Sequence, residues 1–351
     1  MNVALAYNVK PESDTFTENL PSIRSDNITQ PENVIETYAE WDTWETINAL
    51  KEAIEVYHDI ILIEADINAF EKFKLNKPDI VFNIAEGINN LSRESQIPAM
   101  LDMLNIPYTG SDALTLGICL DKARTKEILS YYKIPNANFI LVDKFKPLSN
   151  HSIEFPSIVK PVSEGSSKGI FNSSIVRNYD ELNAEIKRVV DEYNQPAIIE
   201  EFLPGKEFTI ALIGNGDSIE ILPIVEIKYE NFPDDVEHLY SYEAKWILDT
   251  KDSVFDVFEC PAEIDNDLEK QIKETVLQTY NVLRCKDWSR IDIRLDKNRI
   301  PNVIEINPLP GIMPDPTENS SFPKAARAAG INYNEMIQRV LLEACKRHNL
   351  V

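Results

Sequence analysis

Two stretches near the end of the chain, SRIDIRLD at residues 289–296 and PNVIEINPLPG at residues 301–311, carry the reading of the fold. In an extended strand alternate side chains share a face, so Arg290, Asp292 and Arg294 lie together and Ile291 and Ile293 lie opposite. By the same period Glu305 and Asn307 share a face of the second strand. If the two strands pair, Asp292, Glu305 and Asn307 form an all-oxygen cluster suited to Mg²⁺, a hard cation that shares its coordination with phosphate and water. Taken alone, the same residues also fit an ordinary amphipathic hairpin with one polar face.

Two earlier segments add to this reading. IVKPVSEGSSKG (158–169) delivers Lys160 on an apolar strand into a turn holding Gly165, Ser166, Ser167 and Gly169. Backbone amides free of side-chain bulk can approach phosphate oxygens in such a turn. It lacks the GK[ST] ending of a Walker A loop, and a plain surface hairpin has the same composition. IIEEFLPGKEF (198–208) places Glu200 and Glu201 at a strand end and Glu207 after a Pro-Gly turn. Carboxylates there can accept from ribose hydroxyls, or can simply be solvated.

At 351 residues the chain is long enough for two or three domains at about 150 residues each. Its apolar fraction of 43% and charged fraction of 26% are those of a globular protein. Acidic residues outnumber basic ones 58 to 35, for a net charge of −23, which argues against a nucleic-acid or membrane-surface partner. The opening MNVALAYNVKPESD has no basic start followed by a long apolar core, and no run approaches a membrane span. Cys119, Cys260, Cys285 and Cys345 show no metal-ligand spacing. A reduced, cytoplasmic protein is expected.

Strand, helix and strand alternate through the first 110 or so residues, predicting a parallel sheet wrapped by helices. Residues Val9–Gln30 read as a long polar loop. Asp42-x-x-Glu45 predicts a helix start, with Trp44, Ile47, Leu50, Ile54 and Tyr57 on one face. LTLGICLDKARTKEILSYY (114–132) reads as one helix; later helices are expected from about Asp265 to Leu283 and near Tyr333–His348. The expected division is an N-terminal α/β domain at 1–115, a small central α+β domain at 116–195 and a C-terminal α+β domain at 196–351.

In this order and spacing the segments resemble the ATP-grasp superfamily and, within it, the D-alanine–D-alanine ligase family, from about Phe82 onward. LNIPYTGSDALTLGICLDKARTK, IVKPVSEGSSKG, IIEEFLPGKEF, YSYEAKW (similar to YDYEAKY), SRIDIRL and IEINPLPG carry the resemblance. It implies an ATP-grasp fold with ATP held between the last two domains. Lys122, Lys160 and Lys245 would meet phosphates, Glu200 and the backbone of Phe202 and Leu203 adenine, and Glu207 ribose. Ser166 would help close the site, Arg290 and the backbone of Gly311 would stabilise negative charge, and Asp292, Glu305 and Asn307 would hold two Mg²⁺ ions, with Mn²⁺ as a substitute. The implied reaction moves the γ-phosphoryl of ATP onto a carboxylate, and an amine then attacks the acyl phosphate. A homodimer is implied as well.

The substrate-facing segments depart from the family. The usual glycine-rich turn and its ammonium-binding glutamate are replaced by AYNVKPESD, and Glu12 is not assigned that role. The histidine-glycine segment becomes FNIAEGINNLSRESQIP, making Glu86, Arg93 and Glu94 candidate substrate contacts, with Arg93 suited to a substrate carboxylate. The closing tyrosine of YDYEAKY is Trp246, and in the lengthened 311–326 segment Ser320 and Ser321 align with the carboxylate-holding position. The readings are therefore an amino-acid ligase making D-alanyl-D-alanine, a ligase for another amino acid or small carboxylate, or a non-catalytic ATP-binding protein.

Overall fold

The computed structural model describes residues 1–11, 38–149, 153–231, 238–242, 245 and 257–351. Most of the loop read at Val9–Gln30 lies outside the described residues, as does Trp246. The apolar run Asn2–Tyr7 (β1) pairs in parallel with Asp59–Glu64 (β2) on one side and Ile80–Asn83 (β3) on the other. Parallel neighbours need crossover connections, and Trp44–Glu55 (α1) and Ala69–Asn76 (α2) supply them, with Gln96–Leu104 (α3) following β3.

Helix α1 begins later than its sequence suggests. The N-cap is Thr43, whose hydroxyl accepts from the Thr46 amide at 3.4 Å. Asp42 is held in extended chain, donating its N–H to the Asn8 carbonyl at 3.1 Å and accepting from the Lys10 amide at 2.8 Å. Ile47, Leu50 and Ile54 are fully buried as the periodicity requires, but Trp44 is partly exposed and Tyr57 lies beyond the helix end in solvent.

The stretch read as one helix at 114–132 is two, Ala113–Leu120 (α4) and Lys122–Tyr131 (α5). Asp121 takes an extended conformation between them, and its carboxylate caps α5 by accepting from the Arg124 amide at 2.9 Å. Restarting the helix there puts Lys122 and Lys126 four residues apart on one face, both buried.

The second sheet is antiparallel: Phe139–Val142 (β4), Ser157–Pro161 (β5), Ile175–Val176 (β6) and Ala197–Glu201 (β7), in the order β4-β7-β5-β6. Its central strand β7 falls beyond residue 195, so the sheet extends past the boundary expected from sequence. Tyr179–Tyr193 (α6) covers one face, burying Leu182, Ile186 and Val189 against Val159 and Ile199.

The third sheet runs β11-β10-β8-β12-β13, with Glu220–Ile221 (β9) also on β8. Its strands are Glu207–Ile213 (β8), Val225–Ile227 (β10), Phe258–Glu259 (β11), Trp288–Leu295 (β12) and Pro301–Asn307 (β13). On β8 and β12, Phe208, Ile210, Leu212, Ile291, Ile293 and Leu295 face a core shared with Asn266–Val282 (α7). Between β12 and β13 the register shifts at Asp292/Ile293, where Asp292 pairs with Glu305 and Ile293 with Val303. The extra residue, Ile304, is a bulge that turns Val303 back into the core while Glu305 keeps its place opposite Asp292.

The first and third sheets share a core. Leu5, Phe82 and Ile84 pack with Trp288, with Phe322 of Ser321–Ala328 (α8) and with Ile337 and Val340 of Tyr333–Arg347 (α9). The Trp288 ring meets Phe82 at 5.6 Å and Phe322 at 5.7 Å, both edge to face. A polar hub reinforces the joint. Fully buried Asp287 accepts from the Gly110 amide at 2.8 Å, the Asn215 side chain at 2.8 Å and Arg347 at 2.7 Å.

Two outcomes follow for stability. Asp287→Ala leaves Arg347 and the Gly110 amide without their acceptor and should cost about 3–5 kcal/mol in urea unfolding. Burial pushes the Asp42 carboxyl up from 3.8 to about 7. Its protonated folded form contributes stability that is complete below about pH 4 and is lost as pH climbs to about 7. Asp42→Asn should therefore gain stability relative to the parent between pH 5 and pH 8, read by urea unfolding at both values.

Candidate active site

A cleft lies between the second and third sheets, and most of the residues singled out from sequence line it: Lys122, Lys160, Ser166, Glu200, Phe202, Leu203, Glu207, Lys245, Arg290, Asp292, Glu305, Asn307 and Gly311. The β12 face carries Arg290, Asp292 and Arg294 into it, as the period of two requires. On β8 the face that packs Ala211 and Ile213 on the shared core brings Glu207 and Thr209 to the cleft.

One end is built around Glu200. Lys160 sits 3.1 Å and Lys126 3.5 Å from its Oε2, all three side chains buried. Burial alone would raise the Glu200 pKa, but the two ammonium groups hold it below the usual carboxylate range. Its Oε1 is a buried acceptor with no donor among the described residues. Beside it, Glu207 accepts from the Tyr229 hydroxyl at 2.7 Å and from Arg294 at 2.8 Å, and burial still pushes its pKa up. The Arg294 guanidinium lies over the Phe202 ring at 4.7 Å. The Phe202 N–H already donates to the Pro156 carbonyl at 3.1 Å, so of its backbone groups the carbonyl is the one left for an edge contact.

At the other end Arg290 grips Asp292 through two hydrogen bonds of 3.1 Å, and the Asn307 amide donates to Asp292 at 3.1 Å. Lys122 bridges Glu305 at 2.9 Å and the Glu164 carbonyl at 2.5 Å. Burial is again opposed by the adjacent ammonium, and Glu305 stays below its ordinary pKa. Burial and the Arg290 charge bring Lys245 down to about 8. Asp292 and Glu305 are direct cross-strand partners, and Asn307, whose amide now donates to Asp292, would turn Oδ1 toward a cation held there. Two carboxylates and one amide oxygen are a donor set that would suit a magnesium ion, a hard cation that takes oxygen ligands. Among the described residues no three His, Cys, Asp or Glu side chains converge as metal ligands. A cation here would rest on this mixed set.

The Gly/Ser turn is held from below. Ser166 and Ser167 take left-handed conformations at φ 51° and 60°, and the Ser167 hydroxyl donates to the Tyr240 carbonyl at 2.9 Å. The Gly165 amide donates to Glu40 at 2.9 Å, and a Cβ on Gly165 would lie 2.5 Å from that carboxylate. Glu40 in turn accepts from Arg93 at 2.5 and 2.6 Å, and Arg93 also donates to the Ser163 carbonyl at 3.1 Å.

These contacts revise two expectations. Arg93 does not present its guanidinium to a substrate carboxylate; Glu40 and Ser163 take it, and it ties the segment before α1 to the turn. Ser320 braces its own loop, donating to the Gly311 carbonyl at 3.3 Å and accepting from the Met313 amide at 3.2 Å, whereas Ser321, the first residue of α8, lines the cleft. Glu86 and Glu94 do line it. Burial raises Glu86 well above its ordinary pKa and Glu94 to about 8. Two residues escaped the sequence reading. Lys126 was signalled by its i,i+4 spacing from Lys122. Glu40 follows the undescribed residues 12–37 and had no local pattern to mark it.

Residues 128–342 match the family model described as the D-ala D-ala ligase C-terminus. The chain is 33% identical over 305 residues to a D-alanine–D-alanine ligase of Fervidobacterium nodosum, covering 83% of this chain and 90% of that one. It is also 33% identical over 305 residues to an uncharacterised protein, y4sG, of Sinorhizobium fredii, covering 84% and 85%. A crystal structure of the D-alanine–D-alanine ligase of Bacillus anthracis superposes with a TM-score of 0.71 at 24% identity, over 100% of this chain and 99% of that one, a likeness of fold.

Breaking the Arg93–Glu40 bond should loosen the turn. Arg93→Ala and Glu40→Ala should each cost about 3–5 kcal/mol, since each strands a buried charge. The double variant should cost clearly less than the sum in denaturant unfolding. Hydrogen exchange at the Gly165 amide should quicken in Glu40→Ala.

Proposed function

The chain belongs to the D-alanine–D-alanine ligase family, and on that premise we propose that it uses ATP to activate a carboxylate and joins it to an amine, making an amide through an acyl phosphate. The single observation that supports this most is the geometry of paired β12 and β13, where Lys122 holds Glu305 and Arg290 holds Asp292 beside Asn307, with Lys160 and Lys245 lining the same cleft.

The chemistry follows from the side chains. The free Glu200 Oε1 is placed to accept from the adenine amino group, with the Phe202 and Leu203 backbone along the base edge. Glu207, anchored by Tyr229 and Arg294, offers its remaining oxygen to the ribose. Lys122, Lys160 and Lys245 spread positive charge along the phosphates, which is how protein groups assist phosphoryl transfer. Asp292, Glu305 and Asn307 would hold magnesium, which supplies further neutralisation between the phosphate oxygens. Arg290 and the Gly311 backbone stabilise the tetrahedral oxyanion when the amine attacks. Ser166 lies on the turn that shuts water out, since an exposed acyl phosphate would hydrolyse.

Substrate contacts are assigned to Glu86, Glu94 and Ser321, with Trp246 as a wall residue; Arg93 and Ser320 act through the loops they brace. The chain divides functionally into an N-terminal unit to about residue 115, a central unit ending after Glu201 and a C-terminal remainder. A homodimer through the N-terminal unit belongs to the same reading. A cytoplasmic location fits the reduced cysteines, and among the described residues no helix is long and apolar enough to cross a membrane.

The test is ADP and phosphate release with magnesium across single and paired D- and L-amino acids, with mass spectrometry of the product. Turnover yielding an amide is expected; tight ATP binding without ADP release across the whole panel overturns the ligase reading. Arg290→Ala should lower kcat about 10²–10³-fold while a non-hydrolysable ATP analogue still binds.

A further inference from the structure

At the base end of the cleft two ammonium groups address one oxygen. Lys160 at 3.1 Å and Lys126 at 3.5 Å both lie on Oε2 of Glu200, while Oε1 has no donor among the described residues. One ammonium neutralises a buried carboxylate, and burying a second beside it adds desolvation and like-charge repulsion. Glu201 does not share the load, since the next side chain along a strand points to the other face, where Asn138 donates to it at 3.3 Å. The crowding is relieved when an anion enters the cleft and draws one lysine away.

The two lysines differ in which of them can go. Lys160 lines the cleft, whereas Lys126 does not and is 2% exposed. Helix α5 fixes Lys126 there: Ala123, one turn earlier, packs on Ile198, which shares a face of β7 with Glu200. Among the described residues its Nζ makes no hydrogen bond, and its ion pair is the one with Glu200. Its neighbour on the same helix face, Lys122, is committed to Glu305 and the Glu164 carbonyl.

We propose that Lys126 is the positioning residue for the base: with Lys160 drawn to phosphate, Lys126 alone holds the Glu200 carboxylate in place, so that Oε1 accepts from the exocyclic amino group of adenine and rejects a purine with a carbonyl there. An ionised carboxylate only accepts, so it repels a carbonyl, whereas a neutral carboxyl can donate to one and loses the distinction. Lys126 touches no nucleotide and acts through Glu200. This rests on the nucleotide-binding part of the ligase reading and is measured as nucleotide selectivity.

The test is calorimetric titration of the whole protein with magnesium and no amino acid. The probes are ATP, ITP, which has a carbonyl in place of the amino group, and purine riboside triphosphate, which has neither. ATP should bind the parent about tenfold or more tightly than the other two. Lys126→Met should weaken ATP about tenfold yet leave purine riboside triphosphate within about twofold, and Lys126→Arg should restore most of the preference. Lys160→Met should weaken all three nucleotides alike, as loss of a phosphate contact does. If the methionine variant does not fold, Lys126→Gln, which keeps an N–H donor without the charge, carries the same comparison. A parent with no preference for ATP, a Lys126 variant that weakens ATP and purine riboside triphosphate equally or weakens neither, or an ATP-only loss in Lys160→Met overturns the proposal. Product analysis separates it from the ligase reading. Base preference governed by Lys126 with no ADP release across the amino-acid panel supports the positioning role and removes the ligase; amide formation at equal rates with ATP and ITP does the reverse.

Discussion

Asp292 lies against Arg290 and Glu305 against Lys122 because β12 and β13 cannot bring oxygens together in a buried cleft without also bringing cations to them. An isolated carboxylate loses far more on leaving water than a single hydrogen bond returns, so each acidic side chain must find its partner through the fold. The partners come from different elements: Lys122 from α5, Arg290 from β12, Lys160 from β5. Of these pairs Lys122–Glu305 ties α5 to β13 across the cleft, whereas Arg290–Asp292 lies within β12 and Lys160–Glu200 within the second sheet. The pairing also makes the same lysines available to phosphate when a nucleotide competes for them.

The Gly165 turn is governed in a related way. A loop of small residues has little apolar surface to hold it, and two of its serines sit in a left-handed conformation that only Gly adopts freely. Its position is set by polar anchors on every side: Glu40 and Arg93 beneath, the Tyr240 carbonyl above, Arg188 on the Gly169 carbonyl. With so little apolar packing, any displacement of the turn is resisted chiefly by the Glu40, Tyr240 and Arg188 hydrogen bonds.

What the sequence made legible was what local period dictates. The alternation in 289–296 and 301–307 placed Arg290, Asp292, Glu305 and Asn307 on the proper face, and the helix at 266–282 began where Asp265 caps it. The bulge at Ile304 was invisible, since it depends on how β13 meets β12, but it lay between the counted residues and did not disturb them. Asp42 and Arg93 were misread for one reason: each has a local pattern that suggests a role, and each is taken by a distant partner, Asn8 in one case and Glu40 in the other. The residues expected from family likeness to meet the nucleotide share one cleft because they sit on or beside strands with strong local patterns. The rest of the cleft lining comes from segments that sequence separates, Glu40, Glu86 and Glu94 from the N-terminal part and Ser321 from α8.

The shared core around Trp288 bears on how the chain is made. One face of the first sheet is completed by Ala325, Ile337, Val340 and Leu341, and Arg347 closes on the carbonyls of Tyr108 and Gly110. During synthesis from the N-terminus, Leu5, Phe82 and Ile84 emerge more than two hundred residues before the side chains that cover them. Throughout that interval the apolar face is covered only in part, by Ile47, Leu50 and Ile54 of α1, while Phe73, Ile97 and Leu101 pack the other side. Contacts of such long sequence separation fold slowly and leave intermediates prone to association. A chain released before Arg347 would carry a complete cleft and an unsealed first sheet, so the last helix acts as the closing step of folding although it touches no substrate.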